Sequence, residues 1–198
     1  DGAEVAMSRQ QGLSVSTRLG EVENVEFTND GGLGITVYKG GRKGSASTAD
    51  LSEKALKQAI EAAVNIAKYT SVDECSGMAD KELLAMNPPD LDLYHPQELT
   101  TEQAISLAKE CEDTALAYDK RITNSDGATL ASFEGFKVYG NSHGQIVGYP
   151  STRHSLSCVM IANEGDDMQR DYAYTVSREF NAMESAAKIG QQASIEAL

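Results

Sequence analysis

The chain has 198 residues, of which 40% are hydrophobic and 24% charged, a balance that reads as globular rather than disordered and fits one large domain or two small ones. Seventeen Lys and Arg against 30 Asp and Glu leave a net charge of −13, which opposes direct binding to a nucleic-acid backbone. No apolar run approaches the roughly 20 residues that span a bilayer, and the first residues lack the basic-then-apolar layout of a signal peptide.

The first third reads as strands and hairpins. Segments 3–9, 13–18 and 22–27 show mixed alternation, separated by turn chemistry at Gln10-Gln11-Gly12 and Leu19-Gly20. Residues 33–38 are apolar and β-branched, and Lys39-Gly40-Gly41 returns the chain into 42–48 as a hairpin. A helix follows, with Asp50 as the expected N-cap and Glu53 at capping-box spacing. Its stripe of Ala55, Leu56, Ala59, Ile60, Ala63, Val64 and Ala67 is expected to lie on the sheet.

Residues 71–99 change character, with Pro88-Pro89, Pro96 and several acids, so the boundary is placed there. This gives a first domain over 1–75, a linker over 76–99 and a second domain over 100–198. Thr100 and Gln103 form a second capping box, leading a helix with Ala104, Leu107, Ala108, Cys111, Ala115 and Tyr118 on one stripe. Strand patterns then recur over 122–125, 129–140, 145–148, 153–163 and 168–176, and an alanine-rich helix over 183–198 closes the chain. Each half thus carries a sheet with one or more helices and mostly hairpin-linked, antiparallel strands, an α+β fold class. The chain opens at Asp1 in a strand pattern and stops at Leu198 in a helical one, and is read as a piece of a longer protein. Cys75, Cys111 and Cys158 are widely spaced and fit reduced thiols of a cytoplasmic protein better than a disulfide framework or a zinc knuckle.

Three motifs carry candidate chemistry. Gly140-Asn141-Ser142-His143-Gly144 matches G-x-S-x-G, but Gln145-Ile-Val-Gly-Tyr-Pro150 follows where a nucleophile elbow needs a helix, so a hairpin turn is expected. Gly31-Gly32-Leu33-Gly34 precedes a strand rather than the helix a phosphate loop requires. His95, His143 and His154 are the only histidines and stand in no zinc-helix spacing, so no metal, catalytic or cofactor residue is assigned. Arg42, Arg153 and Arg170 lie in or beside Ser- and Thr-rich strands, which could pair with an extended peptide or form a solvated face or an interface. Arg153, His154 and Arg170 are the candidate substrate- or partner-binding residues.

Two glycine-punctuated segments, Asp30 to Tyr38 and Phe136 to Gly144, carry a resemblance, joined by GEVENVEF (Gly20 to Phe27), RKGSAS (Arg42 to Ser47), NSHG (Asn141 to Gly144), STRHSLS (Ser151 to Ser157) and RDYAYT (Arg170 to Thr175). Together they resemble the PmbA/TldD family, also described as modulators of DNA gyrase, and its PmbA (TldE) branch most closely. The resemblance implies an N-terminal and a middle domain, with the C-terminal domain absent. In the TldD branch an HExxxH motif of that domain binds a catalytic metal, zinc by expectation. The PmbA branch lacks the motif and pairs with a TldD-like subunit into a metalloprotease acting on unfolded polypeptides or peptides. Maturation of a ribosomally made peptide antibiotic and turnover of an antitoxin are among the implied family roles.

The reading is therefore a scaffold and substrate-admitting region of a cytoplasmic TldD/TldE-type metalloprotease. Its expected partner is a TldD-like subunit or a second copy, with no direct nucleic acid and no membrane. The alternatives are a non-catalytic peptide-binding or assembly module, a protein-mediated modulator of DNA gyrase and, last, a serine hydrolase using Ser142.

Overall fold

The strands of this protein are longer than its turn signals imply. The computed structural model describes residues 1–198, and its opening hairpin is two long strands, β1 (Gly2–Arg18) and β2 (Glu21–Lys39). Then come β3 (Arg42–Thr48), α1 (Glu53–Tyr69) and α2 (Thr101–Leu116). Strands β4 (Ile122–Asn141), β5 (Ile146–Glu164) and β6 (Asp167–Ser177) precede α3 (Ala186–Ala197). The strand order is β3-β2-β1-β4-β5-β6 in one six-stranded sheet, an α+β fold. Pairs β2–β3 and β5–β6 are antiparallel.

The expected breaks at 10–12, 28–32, 126–128 and 149–152 fall inside strands. The reason is backbone proximity. A Cβ on Gly12 would lie 2.2 Å from the Ser132 carbonyl oxygen, and one on Gly127, at φ +103°, would lie 2.3 Å from that of Thr17. These glycines admit a neighbouring strand instead of turning the chain. Helix α1 starts later than expected: Ser52 is its N-cap, its hydroxyl accepting from the Ala55 N–H, while the Asp50 carboxylate accepts from the Ser52 N–H. The α2 capping box forms as expected, with the Gln103 N–H on the Thr100 hydroxyl and the Thr100 N–H on the Gln103 side chain. The last helix is shorter at its start, with Ser185 as N-cap. No helix is long and apolar enough to cross a membrane.

By packing, the chain forms two units, each drawn from three segments. The first comprises residues 1–10, 29–91 and 135–150, and the second 11–28, 92–134 and 151–198. In the first unit α1 covers one sheet face, with Ala59 and Ala63 against Ile35, and Val5, Leu33, Val37 and Ala46 around them. The approach is close because β3 carries Gly44, where a Cβ would lie 2.0 Å from the Ala63 carbonyl oxygen.

In the second unit, alternation sends Leu13, Val15, Leu130, Leu156, Cys158 and Met160 into a core capped by α2 and α3. The helices contribute mostly alanine (Ala104, Ala108, Ala115, Ala186, Ala193, Ala197), so their backbones approach closely. Cys111 and Cys158 are free and buried. A hydrogen bond with Cys111, with burial second, pushes the Cys158 thiol up and keeps it protonated as a core group.

Candidate functional site

In the first unit, the sheet carries a mainly apolar groove of about 300 Å³ whose lining includes Glu4, Ala6, Thr36, Ser45, Ser47 and Tyr139. Period-two alternation puts the small and hydroxyl-bearing residues here and the apolar ones under α1. The Glu4 carboxylate accepts hydrogen bonds from the Tyr38 hydroxyl at 2.7 Å and the Tyr139 hydroxyl at 2.9 Å. Thr36 and Ser45 share a hydroxyl–hydroxyl bond of 3.0 Å.

The bond to Glu4, reinforced by burial and by the carboxylate's charge, pushes the Tyr38 phenol up to about 12. Folding therefore favours the protonated phenol. This contribution is complete below the ordinary phenol value of about 10 and is lost as pH rises through about 12. A phenolate absorbance titration of the folded protein should show a late-titrating component, and Tyr38→Phe should shrink it, leaving the share of Tyr94 and Tyr139, whose phenols are also raised.

The G-x-S-x-G segment is the turn between β4 and β5. The Asn141 side-chain oxygen accepts from the His143 and Gln145 N–H groups, and Gly144 has φ +89°. The Ser142 hydroxyl accepts from the Ala3 N–H at 3.1 Å, and no helix follows to aim it as a nucleophile. Gly31 to Gly34 lie within β2, again without a helix to face a phosphate.

In the second unit, the three arginine and histidine candidates occupy different places. His154 is 1% exposed on the core face of β5. Its Nδ1 lies 2.8 Å from the Ser132 hydroxyl, its Nε2 lies 3.3 Å from the His95 carbonyl oxygen, and its ring meets Phe180 edge-on at 5.5 Å. A carbonyl only accepts, so this network assigns the proton to Nε2 and has Ser132 donate to Nδ1. Thr152, also buried, accepts from the His95 N–H and donates to the Arg178 carbonyl, tying the segment after Asp92 onto β5. The Ser132–His154 pair has a backbone carbonyl where a catalytic triad has a carboxylate, and its chemistry is that of a core fastening.

Arg153 is exposed on the opposite strand face. Arg170 is exposed on β6 opposite Ile161, and its guanidinium pairs with Asp126. Eight residues along β5 separate position 153 from 161, about 26 Å of strand, so the two arginines share a face but not a cluster. No three His, Cys, Asp or Glu side chains come together as a metal-ligand set.

The sequence reading missed an open edge in this unit. Strand β3 pairs with β2 only from Leu33 to Lys39, and residues 21–28 of β2 have no strand on that side. Every residue from 21 to 27 is exposed, including Val22, Val25 and Phe27, the last at 73%. The signal was available in the acidic-apolar mixture of GEVENVEF, which suits neither a buried strand nor a turn.

Residues 94–198 match the PmbA/TldA metallopeptidase central domain, and residues 3–67 match domain 1 of the same family. The chain belongs to the PmbA/TldD family. Relatives in this family include Metalloprotease PmbA of Escherichia coli O157:H7, 57% identical over 96% of this chain and 42% of the relative. A Metalloprotease PmbA homolog of Haemophilus influenzae is 55% identical over the same shares of 96% and 42%. The chain thus spans less than half the length of these curated relatives. Among solved family structures, a candidate modulator of DNA gyrase from Bacteroides thetaiotaomicron superposes with a TM-score of 0.88 at 28% identity, over 100% of this chain and 45% of that one. TldE of Thermococcus kodakarensis shares the fold, with a TM-score of 0.76 at 20% identity over 100% and 44%.

Proposed function

We propose that this chain is the N-terminal and middle region of a PmbA/TldE-type subunit of a cytoplasmic metalloprotease that acts on unfolded polypeptides or peptides. The observation that carries the reading is 57% identity to a metalloprotease PmbA over nearly the whole chain. A TldD-type partner subunit supplies the zinc and the scissile chemistry, and this region receives the extended substrate and helps hold the partner. The open β2 edge over 21–28 supports the substrate role, because main-chain pairing is indifferent to substrate sequence. Glu21, Glu23 and Glu26 on that edge bias it toward basic segments. Arg153 on β5 and Arg170 on β6, exposed on one face, are the proposed partner-facing residues, and His154 braces β5 from beneath.

The test uses the full-length protein with its TldD-type partner and an unfolded basic peptide. Proline cannot donate to a ladder, and one of any two neighbouring strand positions points its N–H outward. Val25→Pro and Glu26→Pro should therefore include one variant that raises KM several-fold with kcat kept. Unchanged KM in both removes the edge from the account. Protein-mediated modulation of DNA gyrase draws its support from the name of the Bacteroides relative. Salt-sensitive binding to gyrase without binding to DNA would favour it.

A further inference from the structure

The groove of the first unit is kept open by residues that packing does not require to be small. Along β2, Tyr38, Thr36 and Gly34 share one face, and on β3 they pair with Lys43, Ser45 and Ser47. Ala6 and Gly34 add no bulk to the lining. Gly34 has no positive φ, and a Cβ there would meet nothing nearer than the Ala6 carbonyl oxygen at 4.0 Å. Gly12, Gly44 and Gly127 each admit a neighbouring backbone, whereas Gly34 admits only the groove.

Glu4 gives the groove its chemistry. Tyr38 donates to one carboxylate oxygen and Tyr139 to the other. Both oxygens act as acceptors, the arrangement of an ionised carboxylate, and each keeps a lone pair. No Lys, Arg or His forms an ion pair with this half-buried group. Lys43 shares the face, but its Nζ stands 6.0 Å from the centroid of the Tyr38 ring and does not reach the carboxylate. A partly desolvated charge without a counter-ion costs free energy, and an arriving cation relieves it.

We infer that this groove is a binding site for a lysine side chain of an extended peptide, with the ammonium on Glu4 and the four-carbon stem over Ala6 and Gly34. The mainly apolar lining suits that stem. An ammonium is a point donor and needs one free lone pair. A guanidinium fork needs two parallel ones, on a carboxylate whose oxygens each already hold a phenol. The exposed hydroxyls of Ser45 and Ser47 line the same groove and meet the amides that flank the lysine, which a free amine lacks. This inference rests on the groove alone and is independent of the proposed activity.

An amide-resolved NMR titration of the protein with N-acetyl-lysine methylamide tests it. Saturable shifts in the millimolar range should appear at Thr36, Ser45 and Ser47. The norleucine analogue, which keeps the stem and loses the charge, should give none. The arginine analogue and n-butylamine should each bind several-fold more weakly. Glu4→Gln should weaken binding at least about tenfold. Gly34→Val should abolish it with the thermal midpoint kept or raised, because a β-branched residue suits a strand and here fills the groove. The inference is overturned by an absence of saturable shifts, or by shifts elsewhere only. Equal binding of the norleucine, arginine or butylamine probe also overturns it, as does unchanged binding in either variant. A Gly34→Val chain that fails to fold does so too, since the fold and not the groove would then require the glycine.

Discussion

Gly190→Ala should destabilise the protein by about 3 kcal/mol, although alanine is the better helix former by about 1 kcal/mol. A Cβ at this position in α3 would lie 2.1 Å from the Cys111 carbonyl oxygen and 3.2 Å from the Ala115 amide nitrogen. Both are main-chain atoms of α2, so no side chain can swing away and the helices must separate. Separation loosens the alanine faces that pack between them and stretches the 2.8 Å bond from the Ser194 hydroxyl to the Ala115 carbonyl. Thermal unfolding should shift down by roughly 6–12 °C for a domain of this size. An unchanged or higher midpoint would mean that the two helices are not in backbone contact.

The second large effect is expected at Glu112, a carboxylate with no exposed surface. One of its oxygens accepts from the Leu19 N–H at 2.7 Å and the other from the Gly20 N–H at 3.2 Å. Those residues form the two-residue turn between β1 and β2, and both have positive φ, 51° and 80°. That is the backbone a tight hairpin requires, and a disfavoured one for leucine. The buried carboxylate thus fastens a strained turn onto α2. Glu112→Ala removes the acceptor for both N–H groups and should cost about 3 kcal/mol. Glu112→Gln keeps one acceptor oxygen and turns an amide N–H₂ toward the other donor, for a loss of about 2 kcal/mol. Urea unfolding of both variants gives the order, and equal stability of parent and Glu112→Ala would contradict the role.

Local chemistry made the helices legible and hid the continuity of the strands. The α2 capping box and most of the apolar stripes of α1 and α2 need only neighbours three or four residues away and were readable, whereas Ile60 points to solvent and Tyr118 lies exposed beyond the end of α2. Gly12, Gly31 and Gly127 look like turn residues in isolation, yet each admits the backbone of a strand distant in sequence: Ser132, Ser8 and Thr17 respectively. Only the pairing partner distinguishes those two uses of glycine. The two packed units follow from the same property, since strands that run past such glycines serve both. The family could be read from RKGSAS, NSHG and STRHSLS. The placement of its candidate residues could not, because the burial of His154 depends on Ser132, His95 and Phe180, none of them a sequence neighbour.

The central claim is that this region belongs to a subunit that needs a TldD-type partner to cleave. Metal content and cleavage of an unfolded peptide should be measured for the full-length protein alone, the partner alone and their mixture. The account predicts tightly bound zinc in the partner and the mixture, with cleavage strongest in the mixture. Bound metal together with cleavage by the full-length protein alone would contradict it and place the protein in the catalytic branch.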